Sequence, residues 1–414
     1  MPDKLVIVES PAKAKTIERY LGKGYEVTAS KGHIRDLPES NLGIDTETFE
    51  PTYEILKGKE KIVAELTKKA QGKRVLLASD LDREGEAIAW HIAQLLGLSS
   101  KDTNRIVFNE ITESAIKEAV GKPRTIDMSK VEAQVARRIL DRIVGYKLSP
   151  LLWRTMTRGL SAGRVQSVAL KFMVELEKKI MVFVPHDFFK IFMLVGEDRF
   201  TLTKLHGKKF GNRSITTQEE LDTVLKELKA GLFFVEEVKK RLSKRASPMP
   251  FITSTLQQSA ISELGWSASR TMKVAQQLYE GIETEKGQIA FITYMRTDST
   301  RISSQAREKA VEIIKNNYGE RYIGPVKASK GGKKVQDAHE AIRPTYPETC
   351  PEVAKKLISG DFLKLYTLIW NRFLASQMSG AEYDVTEVNV VDKGDRFTFT
   401  LVGEKRVFDG FEKV

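Results

Sequence analysis

The sequence predicts a multidomain fold, α/β at its N-terminus and then helical and β-rich in turn. Two observations carry the α/β part: the apolar runs Leu5-Val6-Ile7-Val8 and Val75-Leu76-Leu77-Ala78 each lead through acidic residues into a helical pattern. A third carries the rest, because strand-like stretches at 188–205, 232–238, 384–391 and 396–402 surround helical patterns at 254–264 and 268–280. With 414 residues and 41% hydrophobic content, the chain can bury two to four domain cores.

The first run ends at Glu9, after which Ser10 reads as an N-cap and Pro11 as the first position of a helix over 11–21. Lys13 and Lys15 lie in its first turns, well placed for a phosphate. The second run ends in Asp80, Asp82, Glu84 and Glu86 at alternate positions, followed by a helix over 86–96. Carboxylates this dense need protonation, basic partners or a hard cation such as magnesium, although acids also favour a helix N-terminus for purely structural reasons. Ligands of open α/β sheets bind at the carboxyl ends of strands, so Glu9, Asp80 and Asp82 can converge there. Between these elements, Gly32 to Pro38 reads as a loop in which His33 and Arg35 can reach phosphate. Residues 105–109 read as a further strand, and Thr112 caps a short helix closing at Gly121.

Composition narrows the partners. Lys plus Arg number 67 against 55 Asp plus Glu, a net +12 that favours a polyanion such as nucleic acid. Cys350 is the only cysteine, which excludes disulfides and cysteine-based zinc sites and fits a reducing compartment. No apolar run approaches a membrane span and no signal peptide is evident, so a cytoplasmic location is expected.

A helix opening at Ser129 with Glu132, the spacing of a capping box, is expected to continue to about Val144. Arg138 and Arg142 share one of its faces, and Arg137 can pair with Asp141. From Arg137 to Lys171 eight basic residues, including Lys147, Arg154 and Arg158, face a single acid, Asp141. Inside that stretch Ser161, Ala162, Gly163, Arg164, Val165 and Gln166 form a glycine-flanked loop entering a helix. Its backbone N–H groups, Ser161 and Arg164 can hold a phosphate, while Gln166 can touch a base or merely cap. Lys239, Lys240, Arg241, Lys244 and Arg245, then Pro248 and Pro250, read as a basic, stiff linker. Beyond it an apolar strand over 289–292 delivers Tyr294, with Arg296 two residues on. That pair suits a phenolic nucleophile beside a phosphate-neutralising cation, or else a tyrosine packed at a domain edge. A lysine- and glycine-rich loop at 330–334 precedes His339 and Arg343.

Seven stretches, LVIVESPAKAKT (5–16), GHIRDLP (32–38), SDLDREGEAIAWH (79–91), FNEIT (108–112), GLSAGRVQSV (159–168), ITYMRTDS (292–299) and DAHEAIRP (337–344), resemble in order the motifs of bacterial type IA DNA topoisomerases. The resemblance implies a Toprim domain over 1–140 and the first part of a helical DNA-binding gate over 141–187. It further implies a β-rich arch over 188–250 and 381–414, with a helical domain carrying the nucleophile over 251–380. It assigns Mg2+ to Glu9, Asp80 and Asp82 with Glu84 nearby, nucleophilic attack to Tyr294, and the scissile phosphate to Arg296 and His339. Glu9 or Lys13 would move the proton of the 3′-oxygen. DNA contacts fall on His33, Arg138, Arg142, Lys147, Arg154, the loop from Ser161 to Gln166, and Arg296. The implied activity is relaxation of negatively supercoiled DNA by a monomer acting on a single-stranded segment, in the nucleoid. No GxxxxGK[ST] phosphate loop occurs, so no nucleotide cofactor is expected. The family core continues beyond the length seen here, so a fragment or an incomplete toroid is expected. A Toprim-type magnesium nuclease or primase shares the acids without needing Tyr294, and a non-catalytic DNA-binding module needs neither.

Overall fold

The computed structural model describes residues 2–326 and 339–414, so the 330–334 loop and Asp337 lie outside the described residues. Contacts divide the chain into two compact units, 1–170 with 248–377, and 171–247 with 378–414.

The first unit begins with a parallel three-stranded sheet in which Lys4–Val8 lies between Tyr25–Ala29 and Arg74–Leu77. Leu5, Ile7, Val75 and Leu77 pack with Ile88, Ile92 and Val131 in one core, which is why both runs are apolar throughout. Residues 105–109 do not form the expected strand. Arg105 alone makes isolated bridges there, to Leu77 and to Arg124, and its side chain is fully buried. Two helix starts also differ from expectation. Asp82 itself caps the helix Arg83–Leu95 by accepting from the Gly85 N–H at 2.8 Å, which moves that helix three residues upstream. Gly85 permits the turn, since a Cβ there would lie 2.2 Å from the Asp80 carbonyl oxygen. Asp127, rather than Ser129, caps the next helix, which runs Met128–Thr155 through Pro150 instead of ending near Val144. Its far half is anchored by Tyr146, whose hydroxyl donates to the Glu39 carbonyl, and by Trp153, whose indole N–H donates to the Leu160 carbonyl.

The unit is completed by the helices Thr253–Leu264, Ala268–Glu280, Ser304–Tyr318 and Gly360–Gln377. The strand expected to deliver Tyr294 stops at Ile289. Residues 290–295 are instead an irregular, fully buried segment whose backbone bonds go to several neighbours: Phe291 N–H to Leu278, Thr293 N–H to Arg343 and Tyr294 N–H to Asn109. The buried amides of Phe291, Thr293 and Tyr294 thus find partners on three separate stretches, with one antiparallel bridge from Ile292 to Pro344.

The second unit is an antiparallel sheet, ordered Phe192–Val195, Asp198–Leu205, Phe397–Phe408, Ala381–Asp392, Phe233–Arg245. Phe200, Leu202, Phe397 and Phe399 meet Val224 of the helix Gln218–Ala230 in its core. The expected basic linker is the second half of the strand Phe233–Arg245. Two of its cations meet acids on other strands of the sheet, Lys244 with Glu382 at 2.9 Å and Arg245 with Glu404 at 2.7 Å, and Lys239 stands opposite Glu387, cross-strand pairing of opposite charge that suits the sheet.

Candidate active site

The parallel pairing of Lys4–Val8 with Arg74–Leu77 brings Glu9 and Asp80 out at the same sheet edge. Glu9 Oε1 accepts the Asp80 N–H at 2.8 Å. Lys13, one turn into its helix and fully buried, lies between the two carboxylates, its Nζ 3.2 Å from Glu9 Oε2 and 2.5 Å from Asp80 Oδ1. Burial works against the ammonium, but Asp80 and Glu9 outweigh it and keep the lysine pKa above its ordinary value. Burial likewise pushes the Asp80 carboxyl up, to about 6, against the pull of Lys13.

The irregular segment after Ile289 sets Tyr294 against this edge. Its hydroxyl donates to Asp82 Oδ2 at 2.5 Å, and its ring lies 5.2 Å from that of Tyr279 and 5.9 Å from that of His339. Burial raises the Tyr294 pKa well above that of a free phenol, Asp80 and Asp82 add to the rise, and only Arg296 opposes it. The phenol is therefore stored with its proton on. Arg296 is exposed and places a guanidinium nitrogen 3.9 Å from the same Asp82 oxygen. His339 is buried, held below its ordinary pKa chiefly by that burial, and its Nδ1 has no hydrogen-bond partner among the described residues.

Other expected ligands are engaged elsewhere. Glu84 accepts from Gln134 at 3.2 Å and lies 3.4 Å from His33 Nε2, which leads the effects that lower its pKa. Glu86, fully buried, pairs with Arg105 at 3.0 Å and accepts the Asp127 N–H. Among the described residues no three acidic, histidine or cysteine side chains are gathered to hold a metal ion. Lys13 engages Glu9 and Asp80, and His33 and Gln134 engage Glu84. Arg105, which sequence reasoning passed over as part of a strand, also donates to the carbonyls of Leu77, Ser79, Asp80 and Ile106 and so fixes the turn that carries Asp80.

The basic stretch is only partly free. Arg138 forms a bidentate pair with Asp36, and Arg142 donates to the carbonyls of Leu37 and Pro38 and to the Tyr146 hydroxyl. Arg164 lies 2.6 Å from Asp141, which also takes Arg137 at 4.0 Å. The loop amides expected to be open are occupied: Ala162 N–H donates to the Ser149 hydroxyl and Gly163 N–H to that of Ser167. Gln166 donates to the Ser161 carbonyl and hydroxyl. Lys147, Arg154 and Val165 are exposed. His33, Arg137 and Arg138 line a polar cavity of about 450 Å3 together with Glu84, Gln134 and Tyr53.

A Toprim-like sheet edge facing a buried tyrosine defines a class, and the comparisons agree: the chain matches the Toprim domain over residues 4–111 and belongs to the DNA topoisomerase family, matched over 125–414. Among curated relatives it is 52% identical to DNA topoisomerase 1 of Fervidobacterium islandicum, over 99% of this chain and 59% of that one. The corresponding figures are 51%, 99% and 64% for DNA topoisomerase 1 of Thermotoga maritima, and 49%, 100% and 60% for that of Campylobacter jejuni. It superimposes on full-length topoisomerase I from Thermotoga maritima with a TM-score of 0.88 at 50% identity, covering 99% of this chain and 67% of that one. The chain thus spans about 60% of the length of these curated relatives. Among the described residues no helix is long and apolar enough to cross a membrane.

Proposed function

We propose that the chain carries the cleavage and resealing centre of an ATP-independent enzyme that relaxes negatively supercoiled DNA by transiently breaking one strand. The observation that supports this most is the Tyr294 phenol, buried and hydrogen-bonded to Asp82 at the edge that also holds Glu9, Lys13 and Asp80. In the forward step the Tyr294 oxygen attacks a phosphodiester of a single-stranded segment, a P–O bond to tyrosine forms and the P–O3′ bond breaks. Asp82 is positioned to take the phenol proton, and the Lys13 ammonium, beside Asp80 and Glu9, to supply one to the departing 3′-oxygen. Arg296 offsets charge on the phosphoryl oxygens, and the neutral His339 can hydrogen-bond them. Resealing is the same path reversed. One phosphodiester replaces another, so no nucleotide is consumed.

Glu9, Asp80 and Asp82 would hold Mg2+ once Lys13 and the Tyr294 hydroxyl release them, since hard carboxylate oxygens match that ion. The ion would supply positive charge beside the reacting phosphate. We assign the path of the single strand to His33, Arg138, Arg142, Lys147, Arg154 and the loop from Ser161 to Gln166.

The test mixes the protein with 3′-end-labelled single-stranded DNA and separates the products under denaturing conditions. Label should migrate with the parent protein and with none of the Tyr294→Phe variant. An undiminished adduct in the variant places the nucleophile elsewhere, and free fragments without adduct indicate a nuclease.

A further inference from the structure

The helix Ala268–Glu280 brings a second tyrosine to the same edge. Tyr279 is fully buried, and its hydroxyl donates to Asp80 Oδ1 at 3.1 Å, the oxygen that also receives Lys13. Its ring stands edge-on to that of Tyr294, with centroids 5.2 Å apart, and Lys13 Nζ lies 5.2 Å from its centre. One residue on, the Glu280 carbonyl accepts from the Thr16 hydroxyl at 3.1 Å, so the end of this helix is tied to Pro11–Leu21, the helix that carries Lys13. Tyr279 therefore belongs to the segment bearing the nucleophile, while the polar groups it meets, Asp80 and Lys13, belong to the N-terminal sheet and its first helix.

We infer that Tyr279 is a positioning residue for strand cleavage. Its O–H orients the Asp80 carboxylate and, through it, the Lys13 ammonium, while its ring backs Tyr294. The acid cluster is thus complete only when the nucleophile's segment is closed onto the sheet. Opening that seam removes a donor from Asp80 as it takes Tyr294 from Asp82, so the chemistry is switched off on both sides at once. A buried tyrosine that merely fills space and finds some acceptor for its hydroxyl would have no such consequence.

Tyr279→Phe separates the two, since it keeps the ring and removes only the donor. The inference rests on Tyr294 being the nucleophile, so two readouts are needed. The first is the single-turnover rate of adduct formation at saturating single-stranded DNA, with the Kd measured by fluorescence anisotropy. Losing a hydrogen bond to a charged group should slow that rate about tenfold or more while the Kd stays within about twofold. The second is amide exchange at Tyr294, whose N–H bonds across the seam to the Asn109 carbonyl at 2.9 Å and should exchange about tenfold faster in the variant. A rate within about twofold of the parent, or a loss lying wholly in the Kd, overturns the inference. If the parent itself forms no adduct, the functional reading fails and exchange alone decides: faster exchange in Tyr279→Phe supports the tie across the seam, and equal exchange overturns it.

Discussion

The edge around Tyr294 and the basic stretch from Arg137 to Lys171 handle charge in opposite ways. At the edge the charges are buried and matched closely, Lys13 with Glu9 and Asp80, Arg105 with Glu86. In the basic stretch cations outnumber acids, and Lys147 and Arg154 stand in solvent. The helix Gln166–Met181 that follows buries none of its residues, with Phe172, Met173 and Met181 all more than 60% exposed. Chemistry needs preorganised geometry, which burial supplies. Binding a flexible polyanion needs accessible cations, which burial would waste. Substitutions in the first region should therefore abolish steps or destabilise the fold, and those in the second should change affinity in a salt-dependent way.

The largest expected effect comes from Asp80→Asn with Asp82→Asn, which should collapse formation of the adduct and the resealing of whatever adduct forms, followed as its appearance and its disappearance after a salt jump. Single-strand binding should survive, and undiminished Mg2+-dependent resealing would remove these carboxylates from the site. Next is Glu86→Ala, which leaves the Arg105 guanidinium buried without its counter-charge. Breaking a buried pair costs about 3–5 kcal/mol, to be read from denaturant unfolding, and a change under about 1 kcal/mol would mean that the four carbonyls suffice for Arg105.

A smaller effect concerns pH. The Asp80 carboxyl lies above its ordinary value, so as pH rises from about 4 to about 6 the unfolded chain releases this proton first. The contribution of Asp80 to stability is full below that window and is lost through it. Asp80→Asn should flatten this part of the stability profile relative to the parent, and parallel profiles would show that Lys13 fully compensates the burial. The smallest effect belongs to the basic stretch. Arg138→Ala with Arg142→Ala should lower the log-log salt slope of single-strand binding by roughly 0.7 for each phosphate that is no longer neutralised. Equal slopes would confine both arginines to bracing the segment 36–41.

Much of the site was legible because local pattern and tertiary placement coincide there. An apolar run ending in acids marks a strand end, and Glu9, Lys13 and Asp80 do meet at one edge, with Asp82 beside them holding the Tyr294 hydroxyl. Residues whose roles depend on partners far along the chain were not legible. Tyr279 looks like one more apolar position of an amphipathic helix, and its partner Asp80 is 199 residues away. Arg105 reads as an ordinary strand residue until its carbonyl partners are seen. The cations from Lys239 to Arg245 resemble a solvated linker because the acids that pair with Lys244 and Arg245, Glu382 and Glu404, come far later in the chain. Asp36, which pairs with Arg138, sits in the short strand Arg35–Asp36, where nothing local signals that partnership.

The proton on Tyr294 has one more consequence. A phenol that is 2% exposed and hydrogen-bonded to a carboxylate is a poor target for nitration, iodination or stray electrophiles, all of which act on accessible or ionised tyrosine. The residue on which the proposed reaction depends is thus shielded from reagents in solution while the seam is closed. Its reactivity is confined to a phosphodiester brought to the closed seam, where Asp82 is at hand to take the proton, and this shields the chain against covalent damage at its most sensitive atom.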